Sequence, residues 1–219
     1  MVPGDCHGPL ALAMTWRYDN QVRLTVLPNS GKSLQKLRIQ CFTLQKGANI
    51  MSTEKLYYAD CHLTRFTARV LSCEAGKKGF EIILDRTAFY PEGGGQACDL
   101  GTLGDARVLD VQERGETVLH LCDKPLAVGT EVTGILDWDR RFDLMQQHTG
   151  EHMVSGVIHR RYGWHNVGFH MGSEVITIDF DGIIPAEDLP AIEAEVNAGI
   201  WADLPVRCWY PSPDELPQV

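Results

Sequence analysis

The residues whose types and spacing most directly suggest chemistry are two histidines in Gln147-His148-Thr149-Gly150-Glu151-His152. On an α-helix, residues four apart share one face, with side chains about 5–6 Å apart. Both imidazoles can then reach a single ion, and zinc often uses such a pair. The alternative is two histidines satisfied by ordinary hydrogen bonds, because two ligands do not complete a tetrahedral site. The segment also matches the inverted zinc-peptidase pattern H-x-x-E-H, with Glu151 as general base. That reading requires a downstream acidic ligand and leaves the rest of the chain unexplained.

A second stretch is Phe89-Tyr90-Pro91-Glu92-Gly93-Gly94-Gly95-Gln96. Three consecutive glycines lose much entropy on folding and leave the backbone bare. Either a wide turn needs positive φ there, or the backbone must come close to a partner, with Gln96 adding a polar contact. A third stretch, Gly31-Lys32-Ser33, ends like a phosphate-binding loop, but Val26 stands where that loop needs glycine.

The elements that must position these residues follow from local pattern. Runs at 64–73, 80–86, 106–112, 117–121 and 130–137 are rich in β-branched and apolar residues, with turn-forming segments between them. Five short strands without intervening helices predict a small antiparallel β-barrel or sandwich. A helix begins near Trp138, capped by Asp137 or Asp139, and ends near Gly163. Trp138, Phe142, Met145, His148, His152 and His159 lie on one i+3/i+4 stripe, which predicts a buried face carrying the histidines. His159 lies roughly 10 Å beyond His152 along the axis, too far to join the same ion. A strand over 174–180, a helix over 186–201 and a strand over 205–210 follow. The predicted class is α+β, with an N-terminal small antiparallel β-barrel domain followed by an α/β two-layer domain. The divisions are residues 1–50 as a poorly ordered extension, 51–137 as the barrel and 138–219 as the second domain.

Composition narrows the function classes. The chain has 219 residues, 44% of them hydrophobic and 22% charged, as in ordinary globular proteins. It has no apolar run of about 20 residues, so no membrane span is expected, and Met1-Val2-Pro3-Gly4 lacks the pattern of a secretory signal. Seven cysteines without a CxxC pair suggest reduced thiols and a cytoplasmic protein. The net charge of −9 argues against broad nonspecific binding of DNA or RNA. Residues 1–50 hold six Lys or Arg against two Asp or Glu, so the acidity lies beyond Met51. A nucleic-acid partner would have to meet a local basic patch, for which Lys77, Lys78, Arg140, Arg141, Arg160 and Arg161 are candidates.

The glycine stretch, then Asp99-Leu100-Gly101, then His148-Thr149-Gly150-Glu151-His152, in that order and spacing, resembles alanyl-tRNA editing proteins of the AlaX type. These are similar to the editing domain of alanyl-tRNA synthetase and the related domain of threonyl-tRNA synthetase. The resemblance runs from about Met51 to the end. It implies a trans-editing hydrolase that cleaves a seryl or glycyl ester from mischarged alanine tRNA. It implies zinc, held by the HxxxH pair with a downstream Cys-x-x-x-His. Carried over, His148 and His152 are metal ligands and, with Gln96, the catalytic group. Gly93, Gly94, Gly95 and Gln96 would lie by the tRNA 3′ end, with Thr87 and His165 as further pocket residues. Glu151 would support the ligands rather than react.

The chain departs from the family in one respect: it contains no Cys-x-x-x-His, since none of its seven cysteines has a histidine four residues on. The expectation is therefore a second domain truncated at its C-terminus and carrying half a metal site, His148 and His152; Cys208 as a substitute third ligand is a minor alternative and not part of that expectation. A truncated, catalytically impaired fold that binds tRNA or a partner is the alternative expectation, and a zinc peptidase the second.

Overall fold

Alternation in the sequence builds the first half of the protein. In β4 (Arg65–Gly76), Phe66, Ala68 and Val70 point inward while Arg65, Thr67 and Arg69 face solvent, the period of two that a half-buried strand requires. The computed structural model describes residues 11–17, 21–27, 52–172 and 175–206. Following β1 (Ala11–Arg17), β2 (Gln21–Leu27) and the short β3 (Glu54–Lys55), β4 turns tightly into β5 (Gly79–Leu84). Then come β6 (Arg86–Thr87), β7 (Gly101–Leu103), β8 (Ala106–Arg114), β9 (Thr117–Cys122) and β10 (Glu131–Leu136). Six strands pair antiparallel in the closed order β10-β4-β5-β9-β8-β7, and β3 pairs parallel with β6. Closure leaves no unpaired edge among these six strands. Inside lie Phe66, Val70, Ile82, Leu84, Phe89, Leu103, Val108, Val111 and Val118. Each fully buried side chain of this size contributes about 1.5–3 kcal/mol of transfer free energy.

The short strand β7 was not legible in the sequence. It closes the ring, and its three residues carry too little pattern to stand out.

The helix α1 (Trp138–Tyr162) starts where Asp137 accepts a hydrogen bond from the Arg140 backbone N–H. It ends at Gly163, whose φ of 76° is the left-handed cap conformation. Its buried face is Arg141, Leu144, Glu151, Val154, Val157 and Ile158, not the predicted stripe. His148 is half-buried, while Phe142, His152 and His159 are exposed. An arginine and a glutamate, each held by partners, take the inner positions expected for the aromatic and histidine stripe.

Behind α1 lies a second sheet. Strands β11 (Asn166–Met171) and β12 (Ile176–Phe180) form an antiparallel pair, and the sheet order is β11-β12-β1-β2. Residues 11–17 and 21–27 are therefore strands paired into this sheet, in contrast to the poorly ordered extension expected for 1–50. β2 pairs with its neighbour β1 as a hairpin, whereas β1 meets β12 across a long separation, Ala11 opposite Asp179, which local pattern could not show. The remaining residues of that extension lie outside the described ones, as do the predicted strand's 207–210 and Cys208; residues 205 and 206 have no regular structure. A single 3-10 turn (Ala186–Asp188) leads into α2 (Leu189–Trp201), whose Glu195 pairs with Arg160 and Arg161 of α1. Ile158, Ile176, Ile178, Phe180, Ile192 and Val196 fill the space between the helices and the sheet. The architecture is mixed α/β with mostly antiparallel sheets.

Candidate metal centre and glycine loop

The histidine pair is held in register by the helix. The rings of His148 and His152 stack with centroids 4.9 Å apart and planes 22° apart. His148 is the more enclosed of the two, lying 5.4 Å from the Phe169 ring, whereas the His152 side chain is 72% exposed. Burial, reinforced by the neighbouring His152, holds the His148 imidazole below its ordinary pKa, with Glu151 opposing the shift. A neutral imidazole is the form that binds a metal.

His148 Nδ1 has a hydrogen-bond partner, and His152 Nδ1 has a carboxylate nearby. His148 Nδ1 lies 2.6 Å from Gln96 Oε1, an acceptor, so Nδ1 carries the proton and Nε2 keeps its lone pair. His152 Nδ1 lies 3.4 Å from Glu151 Oε2. Glu151 is itself buried and held, accepting from Ser155 Oγ at 2.5 Å and from Asn166 Nδ2 at 2.6 Å. Donor atoms of His148, Glu151 and His152 all lie within 4.8 Å of one another. Metal-binding histidines characteristically give their second nitrogen to a carbonyl or carboxylate. Two imidazoles so prepared fit a borderline divalent ion such as zinc. Glu151, turned inward onto Ser155 and Asn166, is placed to orient His152 rather than to act as the general base of a peptidase.

Gln96 reaches His148 because the glycine loop crosses from the barrel to the second sheet. The loop turns on itself through Gly93 N–H to Gln96 O (3.1 Å) and Gln96 N–H to Gly93 O (3.0 Å). Glu92 ties its near side to β8, donating its N–H to Val111 O and accepting from Gln112 Nε2. On the far side, Met171 N–H donates to Gly95 O at 2.9 Å. Gly95 has φ +83°, and a Cβ there would collide with the Phe169 carbonyl oxygen. Close approach of two backbones is thus the reason for glycine at this position. Gly93 and Gly94 face open space.

Thr87 and His165, expected near the pocket, lie elsewhere. Thr87 is fully buried in the barrel, with Oγ1 2.8 Å from His120 Nε2. His165 is exposed at the far end of α1, its ring 4.9 Å from His159 and its Nδ1 3.2 Å from Asp181. β11 runs back along α1, so Phe169 meets His148 while His165 meets His159. Of the basic candidates, Arg141 is buried against Asp99, Arg160 and Arg161 are bound to Glu195, and Arg140 donates to Cys98 O. Lys77 and Lys78 are exposed in the β4–β5 turn.

His120 was missed in the sequence, where it sits in an unremarkable strand. Its Nδ1–H faces Ile82 O at 3.3 Å, so Nε2 accepts from Thr87 Oγ1, which in turn accepts from Phe89 N–H at 3.1 Å. Burial lowers its pKa to about 4, with the Ile82 carbonyl opposing the shift. This chain of bonds fixes the backbone at the entry to the glycine loop.

Residues 30–140 match the family of class II (A) tRNA synthetases, a stretch that covers the barrel and ends before the histidines. An alanine–tRNA ligase of Pyrobaculum neutrophilum is 39% identical over 170 residues, which are 74% of this chain and 19% of that protein. The alanyl-tRNA editing protein Aarsd1 of Bos taurus is 39% identical over 162 residues, covering 68% of this chain and 36% of the relative. The Aarsd1 of Mus musculus is 38% identical over 161 residues, covering 67% and 39%. The chain thus spans between a fifth and two fifths of the length of these relatives. With half of its residues matched, the chain belongs to the class II (A) tRNA synthetase family.

Proposed function

We propose that this chain edits mischarged alanine tRNA, hydrolysing the ester between a seryl or glycyl group and the terminal adenosine, in the cytoplasm. The observation that carries this reading is the hydrogen bond from His148 Nδ1 to Gln96 Oε1, which joins the glycine loop to the histidine pair. The names of the relatives support alanyl-tRNA as the substrate class. In the reaction a water oxygen attacks the ester carbonyl carbon, the acyl C–O bond breaks, and the ribose oxygen leaves with a proton.

His148 and His152 would hold the zinc through Nε2, with Gln96 and Glu151 orienting the rings from behind. A bound zinc ion supplies Lewis acidity at the ester carbonyl at neutral pH. The bare backbone of Gly93 and Gly94 offers room for the terminal nucleotide to lie flat against the loop. Lys77 and Lys78, exposed in the β4–β5 turn, supply positive charge for the tRNA phosphates. In this reading residues 51–137 supply the loop and residues 138–219 the ligands. These 219 residues contain no Cys-x-x-x-His, so two imidazoles are what the chain offers in this pattern.

The test is deacylation of seryl and glycyl alanine tRNA, with zinc content measured in parallel, for the native protein and His152→Ala. We expect His152→Ala to lose both zinc and hydrolysis. Full activity in that variant would refute the metal-site reading; tRNA binding without turnover by the native protein would favour a binding module instead.

A further inference from the structure

A buried ion pair lies at the neck of the glycine loop, away from the histidines. Asp99 and Arg141 are 1% and 3% exposed. Arg141 Nε donates to both Asp99 carboxylate oxygens at 2.9 Å, and its Nη2 donates to Asp99 Oδ2 as well. The same guanidinium donates to Ala88 O at 2.6 Å and to Cys61 O at 2.8 Å. Asp99 also accepts the Tyr90 backbone N–H at 2.6 Å, and returns its own N–H to Tyr90 O at 3.0 Å. Residues 90 and 99 are therefore locked together, and the segment between them is a closed loop with Gln96 near its tip.

Arg141 belongs to α1 and stands seven residues, two turns, before His148 on the same face. One rigid helix thus grips the loop twice, at its neck through Arg141 and at its tip through His148. Burying a charge pair is costly unless every hydrogen-bonding group is satisfied, and here the guanidinium is satisfied from three segments. A surface pair would let the neck breathe; a planar fork with fixed geometry does not.

We infer that Arg141 and Asp99 are positioning residues that set the glycine loop on α1, so that Gln96 meets His148. They act through Gln96 and touch no reacting group. The activity arm of the test rests on the editing reading above; the exchange arm does not.

The experiment compares native protein with Asp99→Asn and Arg141→Lys by amide hydrogen exchange. The Met171 N–H, bonded to Gly95 O, reports whether the loop tip is docked, and the Gln96 N–H reports the turn within it. We expect their protection to fall about ten- to a hundredfold, the range for losing a charge-assisted hydrogen bond, while amides of β5 and β9 keep theirs. Unchanged Met171 protection, or a fall no larger than that of the barrel amides, would overturn the inference by reducing the pair to a general stabiliser. Arg141→Lys retains the charge and loses the fork, so it serves if Asp99→Asn does not fold. In the second arm, Asp99→Asn lowers kcat for deacylation on the order of 100-fold, but has little further effect in a Gln96→Ala background. Additive losses would overturn the proposed route through Gln96. Should the native protein not deacylate, the editing reading fails while the exchange result still decides this one.

Discussion

Gly93, Gly94 and Gly95 are adjacent and chemically identical, yet replacement by alanine has three different expected outcomes. At Gly93 an added Cβ meets nothing within 4 Å and φ lies outside the left-handed region, so stability should change by no more than about 0.5 kcal/mol. Gly94 also faces open space but has φ +59°, and an L-residue held there costs about 1–2 kcal/mol. Gly95 combines φ +83° with a collision against the Phe169 carbonyl and with Phe169 Cδ1 at 2.9 Å. The loop must lift from β11 and strain the Met171–Gly95 hydrogen bond, so the expected cost is about 2–5 kcal/mol. Urea unfolding of the three variants, with m-values checked for constancy, measures the series. Equal losses at all three positions, or a Gly95→Ala protein as stable as Gly93→Ala, would refute the claim that backbone contact with β11 demands the third glycine.

Further expectations concern titration and reactivity. His120 has a folded pKa of about 4 against an ordinary value of 6.5, so the unfolded chain takes up the proton first as pH falls. Its contribution to stability is fully present above pH 6.5 and should drop by about 3 kcal/mol by pH 4, with the depressed His148 acting in the same direction; urea midpoints at pH 7, 5.5 and 4.5 test this, and a flat profile would count against it. Burial pushes the Cys98 and Cys122 thiols up to about 11 and about 12, whereas Cys61 is exposed. Iodoacetamide at pH 8 should label Cys61 well before the other two in peptide-mapped mass spectra, since the thiolate is the reactive form; equal labelling would show that the barrel opens.

The sequence by itself determined the local elements and the register of the chemistry. Alternation in 65–70 and the glycine-containing turns marked barrel strands, and the four-residue spacing of His148 and His152 put both rings on one side of a helix capped at Asp137. These features rest on interactions within a few residues, so they survive in a one-dimensional reading. Tertiary structure alone decided which face of α1 is buried, because Arg141 and Glu151 can go inside only when Asp99, Ser155 and Asn166 are there to receive them. It also moved Thr87 into the barrel core beside His120 and His165 to the far end of α1. The pairing of residues 11–17 with β12, and of Gln96 with His148, joins segments far apart in the chain. Such contacts are chosen by the packing of whole elements, whose long-range geometry leaves no trace in local pattern.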